Sequence, residues 1–132
     1  MNNPGFSRDR IDVSQQDCVT VLKPKGSLCV YGHTALEERI AETMKQGCCR
    51  IVLDLSATPM MSSTALGVLL QYTRTLKSRR GRLVLAAPTA SLKRILLACN
   101  LNRTLRICDT LAEALDAARH NLSSGRLQRV QL

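Results

Sequence analysis

Aromatic side chains are scarce in this sequence. Its 132 residues include no tryptophan, two tyrosines and one phenylalanine, so leucine, valine, isoleucine, alanine and methionine must build the core. No apolar run approaches the roughly 20 residues of a membrane-spanning helix, and the start of the chain shows no signal-peptide pattern. We therefore expect a single cytoplasmic domain without membrane insertion, since 45% of the residues are hydrophobic and one core can form.

Acidic residues are absent between Asp54 and Asp109. The chain outside this stretch balances its basic and acidic residues, so the stretch carries the whole net charge of +9. We expect this half of the molecule to present a positive surface. Its basic residues are Arg74, Lys77, Arg79, Arg80, Arg82, Lys93, Arg94, Arg103 and Arg106.

The residues that enzymes commonly use are sparse. The only histidines are His33 and His120, and no Gly-x-Ser-x-Gly elbow surrounds a serine. No glycine-rich phosphate loop is present, because Gly67 stands alone in a helical pattern. We therefore expect no hydrolase or nucleotide-hydrolysing activity, no catalytic residues and no cofactor.

The six cysteines lack the C-x-x-C spacing of zinc and redox sites. Cys18, Cys29 and Cys108 lie in or beside strand-like runs, and Cys99 falls on the apolar side of a predicted helix. Only the adjacent pair Cys48–Cys49 is unusual. We expect structural thiols of the kind common in cytosolic cores, and neither a metal site nor a redox site.

Hydrophobic periodicity predicts an α/β fold. Short apolar runs predict strands at 19–23, 28–31, 51–55, 83–87 and 105–108, and helical periodicity follows all but the first of them. This alternation indicates a single domain with a mixed sheet of four to five strands and about four helices. We expect 1–16 to be a lead-in segment or an edge strand, 17–120 the folded domain, and 121–132 a mobile basic tail.

Helix boundaries are predicted from capping signals. Thr34 with Glu37 fits a capping box, and Gly47 and Asn100 suit left-handed caps. The third helix is expected to begin at Thr89 or Ser91, and the fourth at Asp109 or Thr110 with Glu113 in capping-box register. The inward face of the second helix is predicted to be Leu66, Leu69, Leu70, Thr73 and Leu76, with Arg74 and Lys77 pointing outward.

Three consecutive hydroxyl residues, Ser62, Ser63 and Thr64, stand where a buried strand has ended and an amphipathic helix begins. Most such clusters only cap the helix by satisfying free backbone N–H groups. A phosphate here would bring about −1.5 to −2 charges to the positive end of the helix dipole. The helix would tolerate that charge, whereas a docked partner would not, so this position suits a binding switch.

At this point the sequence resembles the STAS domain family, and within it the stand-alone anti-sigma factor antagonists of bacterial partner-switching systems. The resemblance covers about residues 17–119. Four stretches carry it: Lys25-Gly26-Ser27-Leu28 with His33-Thr34-Ala35; Ile51-Val52-Leu53-Asp54-Leu55 with Ser56; Met61-Ser62-Ser63-Thr64-Ala65-Leu66-Gly67-Val68-Leu69-Leu70; and Gly81-Arg82-Leu83-Val84-Leu85 with Leu92-Lys93-Arg94-Ile95-Leu96, Leu101 and Leu111-Ala112-Glu113-Ala114-Leu115.

The resemblance implies a switch at one serine. In the family, a serine kinase that is also the anti-sigma factor phosphorylates the helix-start serine, the unphosphorylated antagonist binds that kinase, and a PP2C-type phosphatase reverses the modification. The family motif Asp-Ser-Ser/Thr-Gly-Leu-Gly, aligned on Leu66-Gly67, places the phosphorylated serine at Ser63. The partner-binding residues implied in this way are Ser27, Cys29, Tyr31, Met61, Ser62, Ser63, Thr64, Leu66 and Arg74.

Three acids of the family pattern are missing here. The acid before the phosphorylated serine is replaced by Ser62, and the common Gly-Glu-Leu-Asp turn reads Gly26-Ser27-Leu28-Cys29. Either the partner surface is more acidic than usual, or the kinase contact has been lost. Because Ser63 is retained, we favour a retained switch.

Other functions remain as alternatives. A STAS adaptor without a phosphoswitch, such as a small subunit that braces a transporter ATPase, is compatible with the same resemblance. The basic half alone predicts only salt-dependent, unspecific nucleic-acid binding, because aromatic stacking platforms and helix-turn-helix spacing are lacking. No sequence signature indicates a small-molecule site.

Overall fold

A computed structural model of the chain describes residues 10–29 and 32–119. The strands are β1 (Ile11–Gln16), β2 (Val19–Pro24), β3 (Arg50–Asp54), β4 (Arg82–Ala86) and β5 (Arg106–Cys108). The helices are α1 (Gly32–Lys45), α2 (Ser63–Ser78), α3 (Ala90–Ala98) and α4 (Leu111–Arg119), with a 3-10 turn at Leu101–Arg103. This architecture confirms the predicted α/β class. The expected basic tail, 121–132, lies outside the described residues, as do 1–9.

The five strands form one mixed sheet in the order β1-β2-β3-β4-β5. β1 pairs antiparallel with β2, and all other neighbours are parallel. β1 is therefore an edge strand, joined to β2 by the two-residue turn Asp17–Cys18, in which Asp17 takes a left-handed φ of 58°. The carboxyl ends of the four parallel strands lie at one edge of the sheet, and the segments that follow β2 and β3 start there.

Helices cover both faces of the sheet, so each central strand is buried on two sides. Leu22, Ile51, Leu53 and their neighbours pack with α1, α2 and α3. Alternate residues of the same strands pack with α4, because successive side chains of a strand point to opposite faces. The α4 side contains Val19, Val21, Val52, Val84, Ala86, Cys108, Ala114, Leu115 and Ala118.

The buried face of α2 differs from the predicted one. Its buried residues are Ala65, Val68, Leu69 and Leu76, whereas Leu66, Leu70 and Thr73 are only half-buried. Apolar residues surround the first turns of this helix, so periodicity alone does not determine which side faces the sheet. Arg74 and Lys77 are exposed as predicted.

At Leu28 and Cys29, the described part of the predicted strand at 28–31, the strand does not form: Leu28 makes a single parallel bridge with Met61. Val30 and Tyr31 lie outside the described residues. α1 begins at Gly32, so Thr34 lies inside its first turn and is not its N-cap.

Four other capping predictions are confirmed. The hydroxyl of Thr89 accepts the Leu92 N–H at the start of α3. At α4, the hydroxyl of Thr110 accepts the Glu113 N–H at 3.1 Å, and the Glu113 carboxylate accepts the Asp109 N–H at 3.3 Å. Left-handed residues follow α1 and α3, at Gly47 and Asn100.

The cysteines are more accessible than the sequence suggests. Cys108 is buried under α4, but Cys18, Cys29 and Cys99 are exposed and Cys48 and Cys49 are half-buried. Cys99 departs from prediction because α3 ends there: it is the C-cap, so the apolar face of the helix does not extend to it. All six thiols are free.

Candidate functional site

The segments that follow β2 and β3 run side by side at the carboxyl edge of the sheet. Gly26 donates its N–H to the Ala57 carbonyl at 2.9 Å, and Leu28 donates to the Met60 carbonyl at 2.9 Å. The N–H of Ser62 returns to the Leu28 carbonyl, also at 2.9 Å. These backbone bonds hold the residues around Leu28 against the residues that precede α2.

Two buried side chains hold these segments in place through hydrogen bonds. Thr58 is fully buried, and its hydroxyl donates to the Pro24 carbonyl at 3.1 Å. Asp54 is buried at the end of β3, where its carboxylate accepts the Ser56 N–H at 3.0 Å. A buried polar group is stable only when it is hydrogen-bonded. Thr58 and Asp54 are therefore structural supports of the two loops.

Ser62 and Ser63 have different positions at the start of α2. Ser62 is the N-cap: its backbone is extended, with φ −76° and ψ 163°, and its hydroxyl accepts the Ala65 N–H at 3.1 Å. Ser63 is the first residue of the helix, and it is exposed. The capping function and the accessible hydroxyl thus belong to two adjacent residues.

Replacing Ser62 by alanine is expected to lower the free energy of unfolding by about 1 kcal/mol, because one backbone N–H of α2 loses its acceptor. Ser63→Ala should change it by no more than about 0.5 kcal/mol, since the side chain is exposed. Urea unfolding followed by circular dichroism measures both values. Equal losses in the two variants would show that Ser63 also caps the helix.

The structure brings most of the predicted partner-binding residues together. Ser27 and Cys29 flank Leu28 and so lie beside the start of α2, which carries Ser62, Ser63 and Thr64. Leu66, half-buried, lies on the first turn of the helix. Tyr31 lies outside the described residues.

Two predicted members need correction. Met61 is 6% exposed and belongs to the core, because its neighbour in the extended chain, Met60, takes the outward direction and is 48% exposed. Arg74 is exposed, but it lies eleven residues beyond Ser63, about 16 Å along the helix axis. The site therefore includes Met60 in place of Met61, and Arg74 is remote from its centre.

Met60 could not be predicted from the sequence, because only a strand-like alternation shows which of two adjacent methionines points outward. The single bridge between Leu28 and Met61 supplies that alternation, but one bridge leaves no periodic pattern in the sequence. The surface strip at this edge is called the docking strip below, and it is formed by the half-buried Ser27 and the exposed Cys29, Met60, Ser63 and Thr64.

The docking strip lies at the positive end of an α-helix and contains no aspartate or glutamate. The first turn of α2 has no acidic residue, so no side chain there offsets the partial positive charge of the free N–H groups. A phosphate or carboxylate placed on Ser63 would interact favourably with this end of the helix. The local fold is therefore compatible with a negative charge at Ser63.

The basic half lies mainly beyond the other end of α2. Arg79 and Arg80 follow the helix, and Arg82 opens β4. Burial lowers the pKa of Arg82, and the positive charges of Arg106 and Arg50 lower this pKa further. Positive charge is thus crowded at the edge of the sheet opposite the docking strip.

Among residues 10–29 and 32–119, no group of three His, Cys, Asp or Glu side chains is arranged to hold a metal ion. Within the same ranges, no helix combines the length and apolar character needed to cross a membrane.

The STAS domain pattern matches residues 10–114. A Thermotoga maritima protein provisionally assigned as an anti-sigma factor antagonist is 30% identical over 104 residues, which cover 78% of this chain and 92% of the relative. A crystal structure of such a protein from the same organism superposes with a TM-score of 0.78 at 25% identity, covering 86% of this chain and 97% of the other.

The fold is also that of a protein solved with a phosphate attached. The Bacillus cell fate determinant SpoIIAA, in its phosphorylated form, superposes with a TM-score of 0.63 at 20% identity, covering 81% of this chain and 97% of that one. The family pattern spans well over half of the sequence and includes both the sheet and the start of α2. The chain belongs to the STAS domain family.

Proposed function

We propose that this protein is an anti-sigma factor antagonist that binds a serine kinase which is itself the anti-sigma factor. The unphosphorylated docking strip binds the kinase, phosphorylation of Ser63 weakens that binding, and a PP2C-type phosphatase restores it. The observation that carries the proposal is the exposure of Ser63 at the first position of α2, next to a different serine that caps the helix. The relatives assigned as anti-sigma factor antagonists support the general role.

This division of roles explains how a modification could act without unfolding its host. The hydroxyl that caps the helix belongs to Ser62 and not to Ser63, and the helix dipole favours a negative charge added at Ser63. A partner surface packed on the docking strip gains no such compensation and must desolvate the phosphate. The protein therefore acts as a binding regulator, and the kinase and the phosphatase perform the chemistry. We place it in the cytoplasm, where transcription is controlled.

Incubation with the cognate kinase and ATP is expected to add one phosphate per chain, on Ser63. Tandem mass spectrometry of the peptide that spans 51–74 locates the phosphate, since trypsin cleaves after Arg50 and Arg74. Ser63→Ala should remain unlabelled, while Ser62→Ala and Thr64→Ala should still be labelled at Ser63. These two neighbours are matched controls, because they remove a hydroxyl from the same cluster.

Phosphate on Thr64 in the unaltered chain would contradict the assignment to Ser63. A kinase that binds the chain tightly but transfers no phosphate would favour the alternative, a STAS adaptor without a phosphoswitch.

A further inference from the structure

Three thiols line a cavity at the edge of the sheet where the parallel strands begin, which is opposite the edge that carries the docking strip. The cavity has a volume of about 460 Å³, and its lining includes Cys18, Cys48 and Cys49 together with Thr20, Arg50 and Arg79. Cys18 precedes β2, and the cysteine pair precedes β3. Because β2 and β3 are parallel neighbours, the segments before them lie side by side, as the segments after them do at Ser63.

Cys48 is held against the turn that carries Cys18. The Cys48 sulfur lies 3.5 Å from the Cys18 carbonyl oxygen and 3.3 Å from that of Arg50, and the Thr20 hydroxyl donates to it at 3.2 Å. A residue's Cα is about 2.4 Å from its own carbonyl oxygen, so the Cys18 Cα is within about 6 Å of the Cys48 sulfur. The contact therefore places the Cys48 sulfur beside residue Cys18, and a disulfide can close between cysteines whose Cα atoms are within about 7 Å of each other.

The other half of the pair has different surroundings. Cys49 packs against the core on the α2 side, and Gly81 covers it so closely that a Cβ built on Gly81 would be 2.6 Å from the Cys49 Cβ. Cys18, by contrast, is exposed at the tip of the β1–β2 turn. Accessibility and polar contacts thus single out Cys18 and Cys48.

We propose that Cys18 and Cys48 form a thiol oxidation site that closes a reversible disulfide in the presence of hydrogen peroxide. Peroxide oxidises the exposed Cys18 thiol to a sulfenic acid and releases one water. The Cys48 sulfur then attacks the sulfenic sulfur, the S–O bond breaks, and the oxygen leaves with the Cys48 proton as a second water. Two thiols and one peroxide give one disulfide and two waters.

The disulfide would covalently link the turn of the edge hairpin β1–β2 to the segment that leads into the central strand β3. It lies a full strand length from Ser63, about 20 Å for the six residues of β2. The oxidation is therefore independent of the phosphorylation proposed above, and either can fail without the other.

Treatment of the reduced full-length chain with hydrogen peroxide is expected to leave four of the six thiols open to alkylation. The intact mass should fall by two hydrogens, and dithiothreitol should restore both values. A tryptic map without reductant should show the peptide 11–25 joined to the peptide 46–50, since Lys23 precedes a proline and resists cleavage. Thermal unfolding of the oxidised form should shift upward by several degrees.

Variants distinguish the three thiols of the cavity. Cys18→Ser and Cys48→Ser should abolish the crosslink, whereas Cys49→Ser and the distant Cys99→Ser should retain it. Cys18→Ser lies on an exposed turn, so it keeps the test valid even where Cys48→Ser unfolds. A disulfide between Cys48 and Cys49, an intermolecular crosslink, or peroxide-treated chains with six alkylatable thiols would overturn the proposal.

Discussion

Ser63→Asp is expected to bind the kinase at least about tenfold more weakly than the unaltered chain, a loss of about 1.4 kcal/mol. Ser63 is exposed in the docking strip, and a carboxylate there must lose its hydration when a partner covers it. Phosphorylation should have a larger effect, because a phosphate carries about −1.5 to −2 charges. Isothermal titration calorimetry with the purified kinase measures both affinities.

Ser63→Asn is the matched control, because asparagine has nearly the shape of aspartate but carries no charge. It should bind within about threefold of Ser63→Ala, since neither variant must desolvate a charge at the interface. The aspartate variant should be at least as stable as the unaltered chain, because a carboxylate in the first turn of α2 gains about 0.3–1 kcal/mol from the helix dipole. Weaker binding would then reflect the interface and not unfolding.

Equal affinities for the aspartate and asparagine variants would contradict an electrostatic switch. Two other results would point to a different surface: no loss of affinity in any Ser63 variant, or a loss that follows Arg74, about 16 Å away along α2.

The three acids of the family pattern that this chain lacks strengthen the expectation that a negative charge at Ser63 weakens kinase binding. Ser27, Cys29 and Ser62 occupy positions at which the family carries acids, and the structure brings all three beside Ser63. None of them is a carboxylate, so a phosphate on Ser63 would be the first strong charge on the docking strip. Phosphorylation would therefore change the electrostatic potential of the docking strip strongly. This favours a switch whose partner surface is more acidic than usual.

The fold could be predicted from the sequence because its signals are local and consistent. Continuous apolar runs at β3 and β4 indicate strands buried on both faces, and hydroxyl or glycine residues mark most helix ends. The strand expected at Leu28 and Cys29 does not form, because Leu28 makes a single bridge to Met61 and not a ladder. A bridge depends on a partner 33 positions away, which local patterning does not reveal.

Only the part of the candidate site that depends on helix capping could be predicted from the sequence. The three hydroxyl residues located the start of α2, but the separate roles of Ser62 and Ser63 follow from the backbone angles of the cap. The cysteine cavity was not predictable, because Cys18 and Cys48 meet only through the parallel pairing of β2 with β3. Their sequence spacing fits no known motif.

Gly81→Ala is expected to cost about 3 kcal/mol of unfolding free energy, the upper end of what overpacking costs in a close-packed interior. A Cβ at this position would lie 2.0 Å from the Cys49 carbonyl oxygen, which is backbone and has no rotamer to move away. The same oxygen accepts the Arg82 N–H at 2.8 Å. The substitution therefore pushes apart the beginnings of β3 and β4.

The reason for a glycine here is the close contact and not a left-handed backbone. α2 ends in a Schellman motif, in which the Gly81 N–H reaches the Leu76 carbonyl at 2.7 Å and the Arg80 N–H reaches that of Lys77 at 3.1 Å. The left-handed residue of the motif is Arg80, with φ 62°. Gly81 is the next residue, where the chain turns from α2 into β4 across Cys49.

Gly67→Ala is the matched control, because a Cβ at Gly67 meets nothing within 4 Å. It should raise the unfolding free energy by about 0.5–1 kcal/mol, since alanine is the better helix former in the middle of α2. Urea titrations of the two variants should therefore move in opposite directions from the unaltered chain. If Gly81→Ala unfolds at the same urea concentration as Gly67→Ala, the close approach of α2's end to Cys49 does not exist in solution.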